Sequence, residues 1–161
     1  MSLAASLLFS CSSPQIHNPC SSLICRLHEE EKKAVASGIV QNTGVTTANF
    51  GNTALVDSFA HTLALGLAGN ATLTILNLEG NFLTEDGVRA LAESLRGNRG
   101  LKELRVGTQS GSDSFGPECA KVVADCLETN RTLTVLVFQS QDPDIQARID
   151  SCLSRNAAEP A

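Results

Sequence analysis

The chain has 161 residues, a formal net charge of −5, six Phe, and neither Trp nor Tyr. So little aromatic surface disfavours a reader of single-stranded nucleic acid, and the acidic balance disfavours an electrostatic DNA binder. No apolar run approaches the roughly 20 residues a membrane-spanning helix needs, so neither nucleic acid nor membrane is expected as a partner.

Residues 1–25 carry no charged side chain, Arg26 being the first. A secretory leader would want a basic start, and a transit peptide would want arginines. The segment therefore reads as a tail, disordered or weakly packed, with residues 26–161 as one repeat domain. A helix over about 28–41 opens on Glu29-Glu30-Glu31, a start that the helix dipole favours. A strand over about 45–50 follows, then a helix over 54–69, a strand over 73–78 and a helix over 85–97 with Thr84 as N-cap. A strand over 101–106 leads through a Ser/Gly-rich loop over 108–117 to a helix over 115–129. A strand over 133–138 and a helix over 143–155 complete the series.

Self-similarity organises these elements. Asparagines recur at 42, 70, 98, 130 and 156, intervals of 28, 28, 32 and 26. Three residues before each stand Ile39, Leu67, Leu95, Leu127 and Leu153; seven before stand Val35, Leu63, Leu91, Val123 and Ile149. Six before stand Ala36, Ala64, Ala92 and Ala124, then Asp150. Six after stand Ala48, Leu76, Leu104 and Leu136; eight after stand Phe50, Leu78, Val106 and Phe138. The columns before each Asn make one helical stripe, and those after it alternate as a strand does. The Asn is expected to end each helix in the left-handed cap conformation. Thr53, Asn81, Gln109 and Gln141, eleven after, are expected to satisfy backbone groups where each strand turns away.

The pattern L-x-x-L-x-L-x-x-N is best kept in residues 73–81, LTILNLEGN. It defines an α/β leucine-rich-repeat, right-handed arc of the ribonuclease-inhibitor-like kind, with about four parallel strands inside and five helices outside. One repeat cannot bury its apolar face alone, whereas a stack can.

Such stacks bind proteins on the concave face. Its outward positions include Ile75, Asn77 and Glu79, then Glu103 and Arg105, then Val135 and Val137. A protein partner explains the exposed valines; so does a C-terminal segment folded over them, and isolated exposed valines need no explanation. Phe82 is expected in the core. The six Cys show no C-x-x-C and no zinc-spaced Cys–His cluster, and Cys119 and Cys126 read as small buried hydrophobes. No nucleotide-binding, nucleophile-elbow or metalloprotease motif occurs. No enzymatic activity, metal or cofactor is expected.

From about Glu29 onward the chain resembles the C-terminal leucine-rich-repeat domain of the tropomodulin and leiomodin family. Residues 70–83, NATLTILNLEGNFL, resemble the family's N-x-x-L-x-x-L-N-V-x-S-N-F-I. Residues 101–109, LKELRVGTQ, resemble its L-x-E-L-x-I-x-N-Q strand. The order Thr53, Asn81, Gln109, Gln141 and the passage Gln141-Asp142-Pro143 into a final helix follow the family as well. The resemblance implies a non-enzymatic actin-binding module that caps filament pointed ends or nucleates filaments, located in the cytoplasm on the cytoskeleton. It also implies that the loops and the last helix take part, which adds Arg148 and Arg155 to the candidate contacts. No counterpart of the family's tropomyosin-binding helices is visible, so no tropomyosin site is expected. A generic repeat adaptor with a non-actin protein partner is the other reading of the same residues.

Overall fold

The computed structural model describes residues 15–16, 24–109 and 114–158. The elements alternate: β1 (Gln15–Ile16), α1 (Glu29–Gln41), β2 (Thr47–Asn49), α2 (Asp57–Leu67), β3 (Ile75–Asn77), α3 (Glu85–Leu95), β4 (Glu103–Arg105), α4 (Pro117–Thr129), β5 (Val135–Val137) and α5 (Pro143–Ala158). The strands form one parallel sheet in the order β1-β2-β3-β4-β5. Ala48, Leu76, Leu104 and Leu136 pair in register across β2 to β5, as the repeat columns require.

The five helices and the four repeat strands stand where the periodicity puts them. The sheet also carries the two-residue strand β1, with Gln15 opposite Thr47 and Ile16 opposite Ala48. The rest of the expected tail, residues 1–14 and 17–23, lies outside the described residues. Ile24 and Leu27, just ahead of α1, are buried in the core.

The core is a single aliphatic layer between sheet and helices. Leu63, Leu67, Leu73, Leu76, Leu78, Leu91 and Leu101 are all fully buried. The rings fill the two ends. Phe50 meets Phe59 edge-on at 5.4 Å, and Phe115 stacks on Phe138 at 4.9 Å. Ala64 departs from the buried alanine column and is partly exposed. Buried Lys32 on α1 is satisfied by Glu29 Oε1 at 3.0 Å and the Ala54 carbonyl at 2.9 Å.

The recurrent asparagines do not adopt the expected left-handed cap. Asn42 and Asn130 are extended, with φ −77° at both, and among the described residues the non-glycine positions with positive φ are Asn52, Ala54 and Thr108. Their side chains act instead. Asn98 Oδ1 accepts from the N–H groups of Gly100 at 3.0 Å and Leu101 at 2.7 Å. Its Nδ2 donates back one repeat, to the carbonyls of Leu67 and Asn70. Asn70 and Asn130 repeat the arrangement, and Asn156 Nδ2 closes it on the carbonyls of Asn130 and Leu133. Each amide therefore satisfies its own turn and the helix end of the preceding repeat, groups that would otherwise be orphaned.

A second polar ladder runs along the other end of the strands. Asn81 Nδ2 donates to the carbonyls of Phe50 and Leu78, and its Oδ1 accepts from the N–H groups of Thr53 and Leu55. Gln109 does the same one repeat on, with the carbonyls of Leu78 and Val106 and the N–H of Leu83. Gln141 breaks the column: it is exposed. In its place Ser140 is buried, its N–H donating to Gln146 Oε1 on α5 at 2.9 Å.

At Gly100 one repeat lies directly against the backbone of the repeat before it. A Cβ there would stand 2.6–2.7 Å from the backbone of Ala71 in the preceding repeat. Backbone cannot yield as a flexible side chain can. Gly100→Ala is expected to destabilise by roughly 1–3 kcal/mol, the usual cost of overpacking, read as a lowered urea midpoint; an unchanged midpoint would contradict this packing.

Candidate protein-binding surface

The concave face is built by the residues between the buried strand positions. Ile75 and Asn77 flank buried Leu76 on β3; Glu103 and Arg105 flank buried Leu104 on β4. In-register pairing brings Asn77 beside Arg105, and Arg105 beside Val137. Arg105 Nε donates to Glu103, and its Nη1 lies 3.7 Å from Glu79 Oε2. The hydrogen bond to Glu103, chiefly, raises the guanidinium pKa. Glu79, Glu103 and Arg105 therefore form one three-membered charge cluster at the centre of the face. It is partly exposed, so it adds little to stability.

The next row is apolar. Val135 is 42% exposed. Val137 is partly covered by lying against Gly107, where a Cβ would stand 2.9 Å from its Cγ1. Among the described residues the C-terminal helix does not fold over Val135. It packs on α4 at the outer side of the arc.

The two arginines of α5 are both engaged. Arg148 bridges Asp125 at 3.0 Å and Glu128 on α4, and these partners, Glu128 first, raise its pKa. Arg155 Nη2 donates to the carbonyls of Leu127 and Asn130, both at 2.9 Å, and to Asn156. Arg148 remains on the surface, whereas the guanidinium of Arg155 closes the C-terminal end of α4.

Three apolar residues elsewhere stand out. Phe82 is 50% exposed rather than in the core. Its N–H bonds the Leu55 carbonyl while Leu83 takes the inward position, so the chain leaving the Asn81 ladder turns the ring outward. Leu65 on α2 is 88% exposed. It borders a shallow groove of about 480 Å³ between α2 and α3, lined also by His61, Ala90 and Glu93. Its position midway between Leu63 and Leu67, off the buried stripe, is the sequence signal that could have found it. Cys119 and Cys126 are fully buried, and burial pushes the Cys119 thiol up to about 11, so it stays protonated at neutral pH.

This geometry is that of a leucine-rich-repeat domain with an open concave face. A family model, the TMOD/LMOD leucine-rich domain, matches residues 24–158. The chain belongs to the tropomodulin and leiomodin leucine-rich-domain family. Among solved structures, the chain is similar to one described as leiomodin-1 actin-binding site 2. That match has 26% identity and a TM-score of 0.85, covering 99% of this chain and 92% of that one. It is also similar to a tropomodulin C-terminal domain from Caenorhabditis elegans, with 20% identity and a TM-score of 0.84, covering 98% and 95%. No curated protein sequence matches it. Among the described residues, no helix is long and apolar enough to cross a membrane.

Proposed function

We propose that this chain is an actin-binding leucine-rich-repeat module that works by surface contact and without catalysis, in the cytoplasm on the actin cytoskeleton. The observation that carries the reading is the likeness to leiomodin-1 actin-binding site 2 over nearly the whole of both chains, together with the family match. Actin is the protein partner, and pointed-end capping is the activity in keeping with the family.

The contact surface proposed is the concave centre and its apolar row: Ile75, Asn77, Glu79, Glu103, Arg105, Val135 and Val137. Arg148 lies on the adjoining face of α5. Arg155 contributes by holding α5 in place, since its guanidinium is spent on α4. Co-sedimentation with filamentous actin tests this. The double variant Glu103→Lys/Arg105→Glu keeps the 103–105 pair, inverts the order of charge and sets an acid against Glu79, a partly exposed contact that adds little to stability. It should keep the melting temperature and lose affinity by roughly tenfold, the cost of like-charge juxtaposition at an interface. Wild-type binding to actin with unchanged affinity in the variant would remove these residues from the contact. No binding by either would favour a non-actin partner.

A further inference from the structure

Charge is segregated along the strand direction. From residue 50 on, the described turns that lead from strands into helices span 50–57, 79–86, 114–118 and 139–144. They carry only acidic charges, among them Glu85, Asp86, Glu118 and Asp144, and no Lys or Arg. The opposite rim reverses the sign. Residues 96–102 and 130–134, which join α3 to β4 and α4 to β5, carry Arg96, Arg99, Lys102 and Arg131 and no acidic residue. Among the described residues no carboxylate pairs with any of these four. Their acidic neighbours in sequence are placed elsewhere: Glu103 pairs with Arg105, Glu128 pairs with Arg148, and Glu93 borders the groove between α2 and α3. Outside the described residues the chain holds two acidic side chains, Asp113 and Glu159, too few to balance four cations.

The two basic turns are locked side by side. Asn130 Nδ2 donates to the Asn98 carbonyl at 3.2 Å, and the N–H groups of Thr134 and Val135 donate to the Lys102 carbonyl at 2.9 and 3.0 Å. Arg99 and Arg131 each follow one of these asparagines directly, so they hold equivalent places in adjacent turns, and both are exposed. Arg99 Nη1 donates to the carbonyls of Arg96 and Asn98, both at 3.2 Å. That fixes the guanidinium and leaves its other N–H groups without a partner among the described residues. Lys102 immediately precedes Glu103, so the row is continuous with the concave surface proposed above. Arg96 contacts the buried Cys126 thiol, which leaves Arg99, Lys102 and Arg131 as the open row. The helix dipole favours cations near helix C-termini, but the fold does not require them: α1 and α2 end without one, and residues 42–46 and 68–74 are uncharged.

We propose that Arg99, Lys102 and Arg131 dock an acidic patch on the surface of the protein partner, with carboxylates meeting Arg99 and Arg131 across the two adjacent turns. The proposal deepens the actin reading and rests on it. A folded protein is favoured over other polyanions by the charge of the rest of the chain. The net charge is −5, so the domain as a whole is repelled by a uniformly anionic membrane or nucleic acid, whereas a local acidic patch meets only the basic rim. The chain also has no Trp or Tyr on which bases would stack. Two of the three open cations are arginines, whose planar guanidinium pairs a carboxylate through two parallel N–H···O bonds. The segregation orients the approach as well, because the acidic rim is repelled by the same patch that attracts the basic one.

The test is co-sedimentation of the full chain with filamentous actin at low and at physiological salt. Arg99→Glu/Arg131→Glu should weaken binding by roughly tenfold or more at low salt, and its affinity should fall less steeply with salt than that of the wild type. Arg99→Gln/Arg131→Gln should weaken binding in the same direction but by less. Lys33→Glu/Lys121→Glu, on the outer helices, lowers the net charge by the same amount as the first variant and should bind as the wild type does. Melting temperatures separate lost contact from lost fold, and the Gln pair decides if charge reversal lowers the melting temperature. Wild-type affinity in both Arg99/Arg131 variants overturns the proposal while the actin reading stands. An equal loss in the Lys33/Lys121 variant makes net charge the cause and also overturns it. No sedimentation of the wild-type chain with actin overturns both readings, and its binding to phosphatidylserine vesicles instead would give the rim to a membrane.

Discussion

Asn98→Ala is expected to be among the most damaging single substitutions in the chain. The side chain is fully buried and makes four hydrogen bonds, two accepted from its own turn and two donated to the preceding repeat. Removing it leaves the N–H groups of Gly100 and Leu101 and the Asn70 carbonyl unpaired, while the Leu67 carbonyl keeps only the Asn70 N–H, and each buried unpaired group costs about 1–3 kcal/mol before relaxation. Allowing for partial repair by water, a loss of roughly 3–5 kcal/mol is expected, measured by urea unfolding. Asn98→Asp should be at least as harmful, because a carboxylate keeps the two acceptor roles but cannot donate to the Leu67 and Asn70 carbonyls. A loss below about 1 kcal/mol in both variants would mean that the asparagine ladder does not join the repeats.

Leu76→Ala should cost roughly 2–5 kcal/mol, the range for truncating a buried leucine. Leu76 is fully buried, and its strand neighbours in register are Ala48 and Leu104. Ala48 is already small, so the cavity cannot be filled from that side, which argues for the upper half of the range. Leu136→Ala supplies the comparison. It occupies the same column but is only partly buried, so less apolar area is lost and the cost should be clearly smaller. Equal costs at the two positions would contradict the one-sided packing of β5. Near-neutral Leu76→Ala would contradict the register itself.

The columns were legible in the sequence because burial repeats with the fold: Leu63, Leu91 and Val123 meet the same environment in successive helices, so aliphatic side chains recur at the same offset. The asparagine column was visible too, but its physics was not. A residue that ends a helix can act through its backbone as a left-handed cap or through its side chain, and the amino-acid type fits both. The bonds from Asn98 to Leu67, 31 residues away in sequence, decide it. Phe82 was misplaced because a loop residue lacks periodicity, and the strand-exit geometry set by Asn81 determines which of Phe82 and Leu83 turns inward. Gln141 follows the column in sequence, yet its side chain is exposed, and Ser140 with Gln146 takes over the turn. On the concave face, composition named Glu79, Glu103 and Arg105, but only the in-register pairing of β3 with β4 shows that they form one cluster. Strand β1 escaped notice because two residues carry too short a pattern to be distinguished from a tail.

Elongation from filaments whose barbed ends are capped, measured with this chain added, tests the proposed function most directly. An actin-binding module of the pointed-end type should slow elongation in a saturable way, and the Glu103→Lys/Arg105→Glu variant should slow it less at equal concentration. Elongation unaffected by the wild-type chain, with no co-sedimentation, would contradict the actin reading while leaving the fold as it stands.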